Sequence, residues 1–327
     1  MSRPLPDAGA ELPPDVAADA FARIFDGLVD DTALASFLVA LAERGETVDE
    51  IVAAASMLRI RVSNPLHYPD AIDVCGTGGD GKHSLNVSTA VAIVVAACGA
   101  KVAKHGNRAA SSSSGAADVL AALGVPELPL DRLGPCLDSV GITFLHAARH
   151  HPAMARVAPV RRALGRRTIF NLLGPLANPA GVQRQLVGVF APDWTRPMAT
   201  ALQALGSTRA MVVHGDGYDE LTVTGPSHYT LAADTISDGE LTPESLGLGR
   251  HPMAALAGGD ATHNAARLRA LLAGDTGAYH DIVVLNAAAA LTVADPALTF
   301  ATAASHAREA LASGAAADTL ARWSAFQ

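Results

Sequence analysis

One stretch restricts the fold more than any other: Asp73-Val74-Cys75-Gly76-Thr77-Gly78-Gly79-Asp80-Gly81-Lys82-His83-Ser84-Leu85-Asn86-Val87-Ser88-Thr89. Ala71 to Cys75 reads as a short β-strand. Four glycines follow within six residues, and then an apolar helical run, Ala90 to Cys98, stops at Gly99. A strand, a glycine loop and a helix N-terminus in that order favour an anion. Glycines let backbone N–H groups approach it with no Cβ in the way, and the helix dipole adds positive potential. Asn86, Ser88 and Thr89 are of the type that caps a helix start, and their side chains also suit a phosphate or a metal. A bare tight turn is the duller reading, and cap-type residues so soon after four glycines speak against it.

Two glycine patterns are each incomplete here. Gly76-x-Gly78-x-x-Gly81 fits a dinucleotide fingerprint, but that fingerprint wants a carboxylate about 20 residues on for a ribose hydroxyl. This chain has Lys101, Lys104 and His105 there, and no acid until Asp118. Gly76-x4-Gly81-Lys82 fits most of a P-loop, but His83 stands where Ser or Thr would hold magnesium.

With 327 residues, half of them hydrophobic, the chain has material for a sizeable core in one large domain or a large and a small one. A net charge of −8 argues against general binding to nucleic acid or to an anionic membrane, while leaving room for a local basic pocket. Cys75, Cys98 and Cys136 are an odd set in apolar surroundings and read as reduced core thiols. Met1 to Pro14 carries four prolines and no apolar signal core, so residues 1–14 are expected to form a mobile tail of a cytoplasmic protein. The apolar runs at Ala90–Ala100 and Ile282–Ala294 are too short or too interrupted to span a bilayer.

Residues 15–68 read as a small helical domain. Leu34, Phe37, Leu38 and Leu41 keep the spacing of one helical face, Gly45 ends that helix, and Thr47 with Glu50 forms a capping-box pair before Ile51, Ala55 and Leu58. Part of residues 151–178 is expected to complete this domain. From residue 69 to 327, short β-branched runs alternate with alanine-rich helices. The strand candidates are Ala71–Cys75, Lys101–Lys104, Ile142–Leu145, Leu186–Phe190 and Ala210–His214, whereas Ile236 to Pro252 reads as irregular connection. The fold class expected is α/β: a small N-terminal helical domain and a large domain with a central, mostly parallel sheet flanked by helices. Ligands of such sheets bind beyond the carboxyl ends of the strands, so Gly76, Lys104-His105 and His214-Gly215 are expected on one rim.

A longer set of blocks agrees with all of this. Gly76-Thr-Gly-Gly-Asp80, Asn86-Val-Ser-Thr89, Lys104-His-Gly-Asn-Arg108 and Arg167-Thr-Ile-Phe-Asn-Leu-Leu-Gly-Pro175, followed by His214-Gly215, Asp219-Glu220, Thr224-Gly-Pro226 and Asn286-Ala-Ala288, resembles the anthranilate phosphoribosyltransferase family. The resemblance runs in order from about Phe37 to the C-terminus and implies the nucleoside-phosphorylase and phosphoribosyltransferase type of architecture. It implies transfer of a 5-phosphoribosyl group from phosphoribosyl pyrophosphate to the amine of anthranilate, releasing pyrophosphate, as a step of tryptophan biosynthesis. It further implies magnesium (Mg2+) as cofactor and a homodimer, with no nucleic-acid or membrane partner.

By resemblance, Gly76, Thr77, Gly78, Gly79, Asp80, Asn86, Ser88, Thr89, Lys104 and Ser112 hold phosphoribosyl pyrophosphate. Gly76, Asn107 and Arg161 hold anthranilate, and Ser88, Asp219 and Glu220 are the metal ligands. Alone, Asp219-Glu220 would read as a solvated acidic turn and Lys104 as a strand-end surface charge. Arg161 has Arg162, Arg166 and Arg167 as equally basic neighbours, and Pro159 beside it predicts a kink or a helix start. No Ser-His-Asp or Cys-His set is visible, and His146, His150 and His151 read as structural or pocket-lining rather than as a zinc site. Ser113 stands where the family usually has lysine. The rival readings are a pyrimidine-nucleoside phosphorylase-like enzyme and a non-catalytic nucleic-acid-binding relative.

Overall fold

The computed structural model describes residues 4–78, 81–108 and 114–327. Three helices open the chain: α1 (Pro14–Phe25), α2 (Asp31–Arg44) and α3 (Val48–Arg59). Asp30 caps α2 by accepting the Ala33 N–H at 2.9 Å, and Gly45, at φ +91°, ends it in a conformation that disfavours other residues. Thr47 and Glu50 form the capping box of α3. Glu50 does more than cap. It is wholly buried, accepts the Leu12 N–H at 3.0 Å and pairs with Arg44 at 2.6 Å.

That buried carboxylate corrects the expectation of a mobile tail. From residue 4 the N-terminal segment lies on the bundle: Ala8 and Leu12 are buried, and Arg44 donates to the Ala8 carbonyl. Burying even two small apolar side chains stabilises a docked segment that proline content alone would read as free. The helix Pro152–Leu164 and the turn Ile169–Asn171 pack on the same bundle. Four of the chain's eight phenylalanines meet there: the rings of Phe21, Phe25, Phe37 and Phe170 lie 5.9–6.5 Å apart, centroid to centroid. Pro152 opens its helix, and Pro159 lies inside it rather than marking a start.

The larger part is a seven-stranded sheet of order β3-β2-β1-β4-β5-β6-β7. Its strands are β1 (Ile72–Gly76), β2 (Val102–Gly106), β3 (Ile142–His146), β4 (Arg184–Gly188), β5 (Arg209–His214), β6 (Ser227–Ala232) and β7 (Ile236–Leu241). The first five are parallel, with Gly76 of β1 opposite Gly188 of β4. β6 and β7 run antiparallel. Neither is among the strands expected from the sequence, and β7 occupies part of the stretch expected to be irregular. At the core of the sheet's cover lies α4 (Val87–Ala97), buried on nearly every side against the helix Ala278–Ala294. That burial accounts for the two apolar runs, and no described helix is long and apolar enough to cross a membrane.

Candidate active site

The glycine loop leaves the carboxyl end of β1 at the centre of the sheet. Thr77 donates its N–H to the Gly188 carbonyl at 2.9 Å, and its Oγ1 accepts the Phe190 N–H at 3.2 Å. Gly78, at φ +66°, turns its own N–H onto Asp219 Oδ2 at 2.7 Å. Two segments 141 residues apart in sequence therefore meet at one bond. The approach has room only for glycine. A Cβ on Gly76 would stand 2.4 Å from Asp219 Oδ2, and one on Gly188 would stand 1.5 Å from the Asp219 carbonyl oxygen.

The acidic loop is held from behind as well. Asn286, wholly buried in the helix Ala278–Ala294, accepts the Leu221 N–H at 2.9 Å and donates to the Leu221 carbonyl at 2.7 Å. His214 steadies the other end by pairing with the Val189 carbonyl at 2.7 Å and accepting the Gly217 N–H at 3.3 Å. Glu220 beside Asp219 is buried. The anchoring role of Gly188 is invisible in the sequence, as is that of Asn286 despite its place in a recognised block, because each acts on a backbone group far along the chain.

Beneath the loop sits Lys104 of β2. It is 2% exposed, and its Nζ donates to the Val74 carbonyl at 2.7 Å and to Ser88 Oγ at 3.2 Å. Asp73 lies beside it, also buried, accepting the His105 N–H at 3.0 Å. Burial pushes the Asp73 carboxyl up and the Lys104 ammonium down, and the charge of each opposes the other's shift. Asp219 and Glu220 also favour the charged form of Lys104.

Gly76, Thr77, Gly78, Ser88 and Lys104 line a cleft of about 550 Å³. Asn107 and Arg161 line the same cleft, as do Met154, Ala158 and Phe170. Arg161 comes from the helical part and its guanidinium lies 5.8 Å from the centre of the Phe170 ring. His105 and His151 complete the wall with ring centres 5.1 Å apart. Burial, reinforced by their histidine neighbours, pushes His105 down to about 3 and His151 down to about 4, so both imidazoles are neutral. No three acidic, histidine or cysteine side chains form a metal cluster among the described residues.

Asn86 and Thr89 stand apart from this wall. Asn86 accepts from Asn264 Nδ2 at 2.8 Å, and its carbonyl accepts the Tyr279 hydroxyl. Thr89 is 1% exposed and its Oγ1 has no partner among the described residues. Gly79, Asp80, Ser112 and Ser113 lie outside the described residues.

The cleft combines a buried cation, a loop that carries Asp219 on its Gly78 N–H, and a guanidinium beside apolar side chains. It suits a polyphosphate facing an aromatic acid. Comparison with known proteins agrees. Residues 68–317 match the glycosyl transferase family a/b domain, and residues 8–61 match the glycosyl transferase family helical bundle domain. An anthranilate phosphoribosyltransferase of Methylocella silvestris is 51% identical over 96% of this chain and 91% of its own, and that of Sphingopyxis alaskensis is 51% identical over the whole of both. The crystal structure of anthranilate phosphoribosyltransferase from Thermus thermophilus superposes with a TM-score of 0.93 at 45% identity, covering 98% of this chain and 99% of its own. The Saccharomyces cerevisiae enzyme, solved in complex with PRPP and Mg, superposes with a TM-score of 0.86 at 27% identity over 95% and 92% of the two chains.

Proposed function

Since the chain belongs to the anthranilate phosphoribosyltransferase family, we propose that its cleft moves a 5-phosphoribosyl group from phosphoribosyl pyrophosphate to the amine of anthranilate. The bond between Gly78 and Asp219 carries the division of labour, because it joins the acidic loop to the glycine loop, and Lys104 bonds to the strand that leads into that loop. The aromatic amine is a weak nucleophile, its lone pair being shared with the ring. The reaction therefore needs C1 of the ribose to gain cationic character while pyrophosphate departs, and preorganised charge at the leaving group supplies most of that help.

In this reading the N–H groups of the loop and the Lys104 ammonium face the departing pyrophosphate. Ser88, held by Lys104, is oriented toward the same oxygens. Asp219 and Glu220 fit magnesium: two adjacent hard carboxylates with few other protein donors suit a cation that keeps waters and takes the rest of its shell from phosphates. When bound, magnesium would neutralise pyrophosphate charge. Arg161 pairs with the anthranilate carboxylate, Asn107 orients the amine, and the neutral His105 and His151 add no charge to compete with either.

A fluorescence assay of anthranilate loss, with phosphoribosyl pyrophosphate and magnesium present, tests the whole reading. Anthranilate left unconsumed, with thymidine cleaved by phosphate instead, would establish the nucleoside phosphorylase. The substitution pair Asp219→Asn with Glu220→Gln is expected to raise the magnesium needed for half-maximal rate by at least about tenfold; an unchanged titration removes the two acids from the metal. Arg161→Ala is expected to raise KM for anthranilate about ten- to a hundredfold, the range of a lost charged hydrogen-bond pair, while KM for the phosphoribosyl donor moves little. Equal rises in both would refute its assignment.

A further inference from the structure

Asn107 does not stand alone on the cleft wall. Its Oδ1 accepts the backbone N–H of Arg108 at 2.9 Å. That N–H can only donate, so the atom it meets is the amide oxygen and the amide is fixed in one orientation. The same Oδ1 lies 3.1 Å from His146 Nε2. An oxygen accepts, so Nε2 must carry a hydrogen. On the opposite side of the ring, Nδ1 lies 3.0 Å from Glu127 Oε1, a carboxylate, which also accepts. Both ring nitrogens therefore face oxygen acceptors, and the ring is held from two sides.

We infer that His146 is a positioning residue: gripped by Glu127 on one side, its ring holds Asn107 on the other and so fixes the amide that meets the aromatic acid. With Oδ1 doubly occupied, the Nδ2 hydrogens of Asn107 have no partner among the described residues and are left for a ligand in the cleft. The inference rests on the reading that Asn107 meets anthranilate. The charges around the ring form a closed set. Glu127 faces Nδ1, Arg149 on the same turn lies 3.7 Å from Glu127, and Arg108 pairs with Asp118 at 3.2 Å. His150 is the remaining titratable neighbour, buried and pushed down chiefly by that burial. The hydrogen bond from His146 holds the Glu127 carboxyl below its usual range.

KM for anthranilate, at saturating phosphoribosyl pyrophosphate and magnesium, should rise about three- to tenfold in His146→Ala while kcat moves little, the worth of one such bond. His146→Gln keeps an N–H donor and should restore most of the loss. Glu127→Gln, at a half-exposed position with little folding risk, should raise KM by a smaller factor, because the ring loses its charged partner. A KM unchanged in His146→Ala, or one that His146→Gln fails to restore, overturns the inference while leaving Asn107 in its role, provided Asn107→Ala raises KM for anthranilate. An Asn107→Ala enzyme with unchanged KM overturns the underlying reading and the inference together.

Discussion

Lys104→Met is expected to abolish useful turnover and to weaken the fold at the same time. The ammonium is buried beneath the glycine loop, bonded to Val74 and Ser88, and it is the nearest counter-charge to the buried Asp73. Removing it leaves a carboxylate unpaired inside the protein, a change that typically costs about 3–5 kcal/mol and should lower Tm by about 10 °C. On the proposed function it also strips the leaving group of a preorganised cation, for which a loss of about a thousandfold in kcat/KM for phosphoribosyl pyrophosphate is the natural scale. The two effects separate in the double variant Asp73→Asn with Lys104→Met. Stability should largely return, because neither buried charge remains, and activity should not. A double variant as unstable as the single one would show that the two residues are not coupled. A loss of less than about tenfold in kcat/KM would take Lys104 out of the reaction.

Gly188→Ala should be nearly as damaging for a different reason. The added Cβ would meet Asp219 backbone atoms, its carbonyl oxygen at 1.5 Å and its Cα at 3.2 Å. Backbone cannot swing aside as a flexible side chain can, so the loop from Asp216 to Glu220 must lift off the end of β4. The bond from Gly78 to Asp219 is lost with it. Overpacking of this kind costs about 1–3 kcal/mol in stability. On the proposed function the catalytic cost is larger: with the acids displaced from the glycine loop, kcat/KM should fall by about two orders of magnitude, and the magnesium requirement should rise. Rates and magnesium titrations within about threefold of the parent enzyme would show that the loop tolerates the shift.

These two residues also mark how far the chain can be read unaided. The glycine loop, the five parallel strands and the capping box of α3 are local patterns, and the coordinates carry all of them. Strands β6 and β7 leave no such pattern. Ser227–Ala232 is short and largely polar, Ile236–Leu241 mixes charged and small residues, and β7 is an edge strand, so neither alternation nor β-branched content announces it. Lys104 is legible as a residue type but not as a buried one, because its counter-charge, Asp73, belongs to a different strand. Gly188 is indistinguishable from any strand-end glycine until Asp219 is placed on it. The segment around Leu12 misleads because its anchor, Glu50, already has a complete local role as a cap.

The change of direction at β5 has an electrical consequence. Among the described elements, β1, β2, β3 and β4 each lead into a helix, and the amino ends of such helices carry fractional positive charge. β5 instead folds back into an antiparallel neighbour and brings no such terminus to the edge. The chain places its two adjacent acids in that connection. The mouth of the molecule is thereby polarised from one side to the other, anion-seeking over the centre of the sheet and cation-seeking at its turning point, which is the asymmetry that a salt of a divalent metal with a diphosphate itself possesses.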